Sequence, residues 1–217
     1  MRLQVHVKRL VFISSETVPG FFFPERPGAK AASGSVSGLP QYCPVDVAHP
    51  IHPQDPYALS KSFGEQLMDA AVLRSDLRVI SIRPSWCQDA SNVERNLGPL
   101  VRDFAAPNAG LLAYICIADL ARAIVLAALN TALPGHEVLY IAAADSAGGH
   151  DLRAWVGAKY GSSVPVAERL PRPDASGLCC DKARRLLGWA PRLSWRDFLG
   201  EDGRMRPEVA SGERVPE

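Results

Sequence analysis

The residues of this 217-residue sequence with the clearest chemical use are Tyr57 and Lys61, four positions apart in Tyr-Ala-Leu-Ser-Lys. On a helix this spacing places both side chains on one face. A tyrosine hydroxyl has a pKa near ~10, and a neighbouring ammonium favours its phenolate. Such a tyrosine can take a proton from a substrate alcohol while a hydride leaves the same carbon. The spacing predicts an acid/base pair, although an exposed tyrosine and a solvated lysine would have the same sequence.

The helix that must position this pair is predicted to begin at Asp55-Pro56, with Asp55 as the N-cap and Pro56 at the first position. Four apolar residues recur at every fourth position: Leu59, Phe63, Leu67 and Ala71. They form one stripe that continues to about Leu73, on a different side of the helix from the pair. We therefore expect the stripe to be buried while Tyr57 and Lys61 face a cleft.

Strands and helices are predicted to alternate along the rest of the chain. The predicted strands are 8–13, 78–82, 113–117 and 138–142, and the further helices are 93–104, 120–129, 151–160 and 181–187. We expect Asp119 to cap the helix 120–129 and Gly188 to close the last helix. Residues 24–53 form a long irregular connection rich in Pro, Gly, Ser and Ala. This alternation favours an α/β fold with a parallel sheet.

Composition excludes several classes of protein. Lys plus Arg is 24 and Asp plus Glu is 23, so the net charge is 24 − 23 = +1, which disfavours a polybasic nucleic-acid or membrane-surface protein. The apolar runs are far shorter than the ~20 residues that span a bilayer, and the start lacks a secretory signal. Five cysteines without framework spacing suit a reducing compartment. We expect a cytoplasmic protein without a metal site, since Cys43, His49 and His52 match no standard zinc spacing.

The order of several short segments resembles the NAD-dependent epimerase/dehydratase family, the extended short-chain dehydrogenases/reductases. These segments are Ser14-Ser15-Glu-Thr-Val-Pro-Gly20, Pro56-Tyr-Ala-Leu-Ser-Lys61, Ile82-Arg-Pro84, Tyr114-Ile-Cys-Ile-Ala-Asp119 and Asp181-Lys-Ala-Arg-Arg-Leu-Leu-Gly-Trp-Ala-Pro191. The resemblance extends over about residues 8–199, and no single motif carries it. It implies an NAD(P)-dependent sugar or nucleotide-sugar epimerase, dehydratase or reductase.

The resemblance also assigns roles to individual positions. Ser15 would hold the substrate oxygen, Tyr57 would be the acid/base, and Lys61 would bind the nicotinamide ribose and activate Tyr57. The cofactor, NAD or NADP, would also contact Ser14, Tyr57 and the segment Pro84, Ser85 and Trp86. Asn96 and Leu97 look like the pair that contacts the nucleotide of a nucleotide-sugar, although Asn96 could equally be a helix-cap residue.

Two departures from the family weaken the expectation of an active enzyme. None of the 17 glycines forms G-x-G-x-x-G or G-x-x-G-x-x-G, the turn that holds the cofactor pyrophosphate. Leu112-Ala113 stand where nucleotide-sugar epimerases often have Arg-Asp, so a UDP-sugar substrate is in doubt. We therefore expect only the C-terminal part of a Rossmann-like doubly wound sheet, with an open edge at the first strand. The alternative function is an inactive remnant, or a half-domain that needs a partner chain.

The predicted domain organisation follows from the same resemblance. Residues 1–90 would be the remnant of the NAD(P)-binding domain, to which 113–130 return, and 91–199 would form mainly a small α/β substrate-binding subdomain. Residues 200–217 are predicted to be a disordered tail. The family usually forms homodimers through the Tyr-Lys helix and a second helix that is absent from this sequence. We expect a small sugar-type substrate and no nucleic-acid or membrane partner.

Overall fold

A computed structural model describes residues 7–21, 39–108, 110–214 and 216. Residues 24–38 of the predicted long connection lie outside the described residues. Five strands are present in the described chain: β1 Arg9–Ile13, β2 Arg78–Pro84, β3 Trp86–Gln88, β4 Tyr114–Cys116 and β5 His136–Ile141. Six α-helices accompany them: α1 Pro56–Leu73, α2 Val93–Arg102, α3 Ile117–Leu129, α4 Leu152–Tyr160, α5 Asp181–Leu187 and α6 Pro207–Ala210. Strand and helix alternate, so the α/β prediction is confirmed.

The main sheet has three parallel strands in the order β1-β2-β5. Ile13 lies opposite Ile82, and Pro84 lies opposite Ile141, so the carboxyl ends of all three strands meet at one edge. Within the described residues, β1 pairs with β2 alone and therefore forms one side of the sheet. Parallel strands need crossover connections, and here helices supply them. Ligands of such sheets bind outside the carboxyl ends of the strands.

Local sequence places the start of α1 as predicted. Asp55 is the N-cap, and its Oδ1 accepts hydrogen bonds from the N–H groups of Tyr57 and Ala58, at 2.9 and 3.0 Å. Pro56 occupies the first helical position, where its missing N–H costs no helical hydrogen bond. The helix therefore begins one residue before Tyr57, so that Tyr57 lies in the first turn.

The predicted orientation of α1 is wrong. Leu59, Phe63 and Leu67 are 39%, 53% and 64% exposed, so the apolar stripe faces outward. The residues of α1 that are buried are instead Ala58, Ser62 and Glu65. The reason is that the sheet surface beneath α1 carries polar side chains, which bind the polar side of the helix. Periodicity identified the stripe but could not identify the surface that it faces.

A second, two-stranded parallel sheet of β3 and β4 lies beyond the end of β2. The sequence did not predict β3, because a three-residue strand leaves too little pattern to recognise. Helix α2 follows it, close to the predicted 93–104. An extended apolar cluster packs α2 and α4 with residues around Tyr114 and Trp195. Another cluster packs α3 and α5 against the face of the main sheet opposite α1.

Two predictions about helix ends have different outcomes. Gly188 closes α5 in the left-handed conformation, with φ of 63°, as predicted. Asp119 does not cap α3, which begins two residues earlier at Ile117; its buried carboxylate binds Arg122 and the N–H groups of Arg192 and Leu193. That arrangement joins α3 to a distant segment, which local sequence could not reveal.

The prediction of a disordered tail is wrong for residues 200–214. Leu199 pairs with Met205 through a bridge, α6 follows, and Val209 is buried in the apolar cluster around Tyr114. Arg214 forms an ion pair with Asp197 at 3.2 Å. The polar composition of this segment indicated no contact with the rest of the fold. A few contacts with α2 and the 195–199 segment nevertheless hold it in place. In the described part of the chain, none of the helices is long and apolar enough to cross a bilayer.

Candidate active site

The carboxyl ends of β1 and β2 and the first turns of α1 bring most of the predicted site residues to one edge of the sheet. Ser14 and Ser15 follow β1 directly, and Pro84 ends β2. The Ser14 N–H donates to Ile82 O at 2.7 Å, and the Glu16 N–H donates to Pro84 O at 3.2 Å. The two strand ends therefore continue side by side past the sheet. This is the position at which α/β folds hold their ligands.

Tyr57 and Lys61 lie together on α1, as their spacing predicts. Lys61 Nζ is 5.5 Å from the centre of the Tyr57 ring and donates a hydrogen bond to Ile13 O at 2.9 Å. That carbonyl belongs to the last residue of β1, two positions before Ser15. The Tyr57 side chain is 51% exposed, and its hydroxyl forms no hydrogen bond with another described residue. The phenol is thus open to solvent beside an anchored ammonium.

The geometry of Ser15 suits a hydrogen-bond donor to a ligand. Its Oγ accepts hydrogen bonds from the N–H of Thr17 at 3.1 Å and from Thr17 Oγ1 at 2.9 Å. Two acceptor positions of the hydroxyl are therefore occupied, while its own hydrogen has no acceptor among the described residues. Thr17 therefore fixes the position of the Ser15 oxygen, which lies in a buried residue at the edge of the sheet.

A buried network of polar side chains holds α1 against the sheet directly below these residues. Glu65 Oε1 accepts from Ser14 Oγ at 2.5 Å and from Arg83 Nε at 2.8 Å, and Glu65 Oε2 accepts from Arg83 Nη2 at 2.6 Å. Arg83 Nη1 also donates to the Tyr140 hydroxyl at 3.3 Å. Burial is the largest influence on Arg83 and opposes its charge, but the hydrogen bonds and charge interactions with Glu65 and Tyr140 together outweigh burial and raise its pKa. The arginine therefore stays charged, with Nε and Nη2 bound to the two oxygens of Glu65 and Nη1 bound to the Tyr140 hydroxyl.

A second polar group further along α1 has the hydrogen-bond order of a hydrolase triad. Ser81 Oγ lies 2.7 Å from His136 Nε2, and His136 Nδ1 lies 2.7 Å from Asp69 Oδ1. Ser81, however, is completely buried in the middle of β2, so its oxygen cannot reach a substrate. This group instead joins α1 to β2 and β5. We call the two groups together the polar seam: Ser14, Ser81, Arg83, His136 and Tyr140 of the sheet with Glu65 and Asp69 of α1.

Glu16, next to Ser15, is a buried carboxyl group that the sequence did not indicate. The N–H of Trp86 hydrogen-bonds to it, but Oε2 has no hydrogen-bond partner among the described residues. Burial raises its pKa well above the ordinary value of 4.5, and the Trp86 hydrogen bond only partly opposes this. Glu16 therefore favours the neutral form within the fold.

Solved structures share this arrangement of strands and helices. A short-chain dehydrogenase/reductase superfamily protein from Agrobacterium tumefaciens with bound NAD matches with a TM-score of 0.57 and 20% identity, over 95% of this chain and 69% of that chain. MoeE5 in complex with UDP-glucuronic acid and NAD matches with a TM-score of 0.56 and 18% identity, over 96% of this chain and 66% of that chain. UDP-glucose 4-epimerase from Bifidobacterium longum in complex with NAD⁺ and UDP matches with a TM-score of 0.53 and 20% identity, over 88% of this chain and 61% of that chain. This chain has the fold of the short-chain dehydrogenases/reductases.

Comparison with sequences is more limited. A protein of Methanocaldococcus jannaschii named "Putative UDP-glucose 4-epimerase" is 53% identical over 36 residues, which are 17% of this chain and 12% of that protein. No family model matches the chain. The chain spans about two thirds of the length of the solved structures named above. The resemblance to NAD-dependent epimerases is therefore confirmed as a likeness of fold.

The residues present fit one end of NAD, the cofactor bound in these solved structures. Lys61 has three N–H donors and uses one on Ile13 O, which leaves two for ribose hydroxyls. The Ser14 hydroxyl is committed to Glu65, and both the N–H and the Oγ of Ser85 donate to Ile141 O, at 3.0 and 3.4 Å. Since the Trp86 N–H binds Glu16, the indole ring of Trp86 is what this segment exposes. The sequence contains no Gly-rich turn for the pyrophosphate.

The two predicted substrate residues on α2 differ in accessibility. Asn96 is half-buried in the interior of the helix, and its Nδ2 donates to Gln88 Oε1 at 3.1 Å. The N-cap is Asn92, so Asn96 is not a helix-cap residue. Leu97 is completely buried in the apolar cluster, so its side chain cannot contact a ligand. No hydrogen bond or ring contact of the described residues joins α2 to Ser15, Tyr57 or Lys61.

A cavity of about 490 Å³ lies past the carboxyl end of β5. None of the site residues predicted from the sequence lines it. Its walls are largely apolar and include residues 142–144, which follow β5. Five charged side chains also line it: Asp46, Arg169, Arg172, Asp181 and Arg184. Arg172 and Arg184 are paired with Asp174 and Asp181, whereas Arg169 forms no ion pair within the described residues. Apolar walls with guanidinium donors suit an anionic organic ligand of ordinary size.

Proposed function

We propose that this chain carries the substrate-side part of an NAD(P)-dependent sugar or nucleotide-sugar epimerase, dehydratase or reductase site. Tyr57 is the general acid/base, Lys61 its activator and ribose ligand, and Ser15 the donor to the substrate oxygen. The observation that carries the proposal is that Lys61, beside the exposed Tyr57, is anchored to the last carbonyl of β1, two residues before Ser15. The matching structures with bound NAD support it through their fold.

The chemistry follows from the atoms at this edge. Bound NAD(P) would supply the acceptor or donor of the hydride. The Ser15 hydroxyl donates its free hydrogen to the oxygen of the reacting carbon and orients that oxygen toward Tyr57. Tyr57, as the phenolate, takes the alcohol proton and becomes the phenol as the hydride leaves and the carbonyl forms; in the reverse direction the phenol returns that proton. Lys61 stabilises negative charge on the phenol oxygen while the proton is away.

The substrate is proposed to be a sugar with an anionic group. The cavity beyond β5 begins one strand away from the Pro84–Trp86 segment, and its guanidinium groups would bind a phosphate. Leu112, which replaces the arginine often found before the Tyr-Ile strand, is completely buried. The arginines of the cavity are therefore the groups that we propose to bind a diphosphate.

The alternative is a chain that binds no cofactor by itself, either an inactive remnant or a half-domain completed by a partner chain. The absence of a Gly-rich turn from the sequence favours it. Thermal unfolding with NAD⁺, NADH and NADP⁺ separates the two functions, because a ligand of the folded state raises the melting temperature with concentration. No shift, even with UDP-glucose or UDP-glucuronic acid added, would favour the alternative.

The site is tested with variants of the purified chain assayed with the same cofactors and sugars. Tyr57→Phe is expected to lower turnover by about 10²–10⁴-fold while it preserves the cofactor-dependent shift. Lys61→Met should lose both turnover and the shift. Tyr160→Phe, the same change at a tyrosine on α4, is the control and should preserve both. Undiminished turnover in Tyr57→Phe would remove Tyr57 from its proposed role.

A further inference from the structure

One side of α1 presents a row of four polar side chains toward the sheet: Tyr57, Lys61, Glu65 and Asp69, each four residues from the next. Three of them are bonded to three different strands. Lys61 binds the end of β1, Glu65 binds Arg83 of β2, and Asp69 binds His136 of β5. Tyr57, the first of the row, is left with its hydroxyl unbonded. The bonded members of the row anchor α1 to the sheet, and of these Lys61 and Glu65 lie nearest to Tyr57 along the helix.

Glu65 is the member of this row that connects every segment of the proposed site. It lies one turn after Lys61 on α1 itself. Its carboxylate binds Ser14, the neighbour of Ser15, and Arg83, the neighbour of Pro84. Both side chains of the ion pair are almost completely buried, so solvent screens it little. One buried carboxylate thus fixes the relative positions of the serine, the tyrosine and lysine, and the segment after β2.

Burial of the large apolar side chains of α1 does not explain its orientation. The buried residues of the helix are Ala58, Ser62 and Glu65, while Leu59, Phe63 and Leu67 face outward. Burying those three side chains would be favourable in itself, because apolar surface would leave water. A rotation of α1 that buried them would turn Lys61, and Tyr57 on the same side of the helix, away from the carbonyl of Ile13 at the end of β1. Something directional must oppose that rotation, and hydrogen bonds with fixed geometry are directional where apolar contacts are not.

We propose that Glu65 and Arg83 are positioning residues, whose buried two-pronged pair holds α1 in the rotation that places Lys61 at the last carbonyl of β1, with Tyr57 one turn away on the same side of the helix. The importance of this rotation for turnover rests on the proposed function. The rotation itself is a property of the fold and can be measured without any turnover. The pair acts through Tyr57 and Lys61 and does not touch the substrate.

The decisive variant is Glu65→Met with Arg83→Met. Removing one partner alone leaves a buried unpaired charge, whereas replacing both by apolar side chains of similar length often preserves stability. The chain is labelled with 3-fluorotyrosine, and the ¹⁹F resonance of Tyr57 among the five tyrosines is assigned with Tyr57→Phe. Urea unfolding reports global stability in parallel. Asp69→Asn is the matched control, since it weakens a bond between α1 and the sheet three turns away from Tyr57.

The expected result is a displaced or split Tyr57 resonance in the double variant, with stability close to that of the unchanged chain. Asp69→Asn should leave the resonance in place. Arg83→Lys, which keeps the charge but loses the fork, should displace it to an intermediate extent. If the double variant does not fold, Glu65→Asp gives the same test, because it keeps the charge and shortens the side chain by one methylene.

A Tyr57 resonance that is unchanged in the folded double variant, or in Glu65→Asp, would overturn the proposal and leave the pair a purely structural role. If the chain turns over a sugar substrate, kcat of the double variant should fall by about 10²-fold with KM nearly unchanged, because misplacement affects the reacting geometry. If no turnover is found, the proposed function fails while the resonance still decides the positioning role. The two failures are therefore distinguishable.

Discussion

Gly64 of α1 packs directly on Phe12 of β1: a Cβ at Gly64 would lie 2.2 Å from the tip of the Phe12 ring. The missing side chain allows the helix to approach β1, which ends at Ile13 directly before Ser14. Lys61 Nζ lies 5.6 Å from the centre of the same ring and reaches Ile13 O from there. The close approach of Gly64 and Phe12 therefore brings the lysine within reach of the strand end.

Gly64→Ala is expected to destabilise the fold, although alanine is the better helix former by about 1 kcal/mol. The added methyl group would force the Phe12 ring or the helix to move, which costs about 1–3 kcal/mol. The measurement is the free energy of unfolding in urea. Gly157→Ala in α4 is the matched control, since nothing lies within 4 Å of a Cβ there. That variant should be stabilised, and stabilisation of both variants would contradict the close contact.

Glu16→Gln is expected to stabilise the fold at neutral pH but not near pH 4. The folded-state pKa of Glu16 is raised by burial above its ordinary value of 4.5. The contribution of Glu16 to the stability of the fold is therefore complete below about pH 4.5, and it is lost as the pH rises through the folded-state pKa. Glutamine does not titrate, so the difference in stability between variant and unchanged chain should grow from pH 4 to pH 8.

Urea midpoints at several pH values measure this difference. Glu168→Gln, at an exposed position, is the control and should show no such growth. A difference that is constant with pH would mean that Glu16 ionises normally in the folded chain.

Phe63→Ser with Leu67→Ser is expected to reduce self-association of the purified chain. These side chains are 53% and 64% exposed and form one apolar stripe with Leu59, a surface that favours contact with another protein copy. Light scattering over a range of concentrations measures the association. Leu129→Ser is the control, because Leu129 is 69% exposed but lies on α3. If the unchanged chain is monomeric at all concentrations, or if Leu129→Ser has an equal effect, the stripe on α1 does not mediate self-association.

Asp119→Asn is expected to destabilise the fold by about 3 kcal/mol, because a buried arginine–carboxylate contact is broken. The carboxylate is almost completely buried, and it also accepts from the N–H groups of Arg192 and Leu193 at 2.7 and 2.8 Å. Asp181→Asn is the control: its pair with Arg184 has both side chains more than half exposed. Exposed pairs contribute roughly 0–1 kcal/mol, so urea unfolding should separate the two variants.

Much of the local structure follows from the sequence because the relevant signals are local. Asp55-Pro56 determines where α1 begins, and Gly188 determines where α5 ends, since a cap involves only the residues of one turn. The four-residue spacing of Tyr57 and Lys61 likewise places them on one side of a helix, whatever surrounds it. The alternation of strand and helix is sufficient to predict parallel pairing.

The tertiary structure alone decided which way α1 faces and therefore what its tyrosine and lysine stand beside. An apolar stripe shows that one side of a helix is different, but not whether the sheet below offers apolar or polar partners. Here the partners of Glu65 are Ser14 and Arg83, 51 and 18 positions away, and only the folded sheet brings them together. The continued spacing from Tyr57 through Lys61 to Glu65 was a signal for that contact, but its meaning depended on the strands beneath. Local sequence therefore specified the elements, and long-range polar contacts specified their orientation.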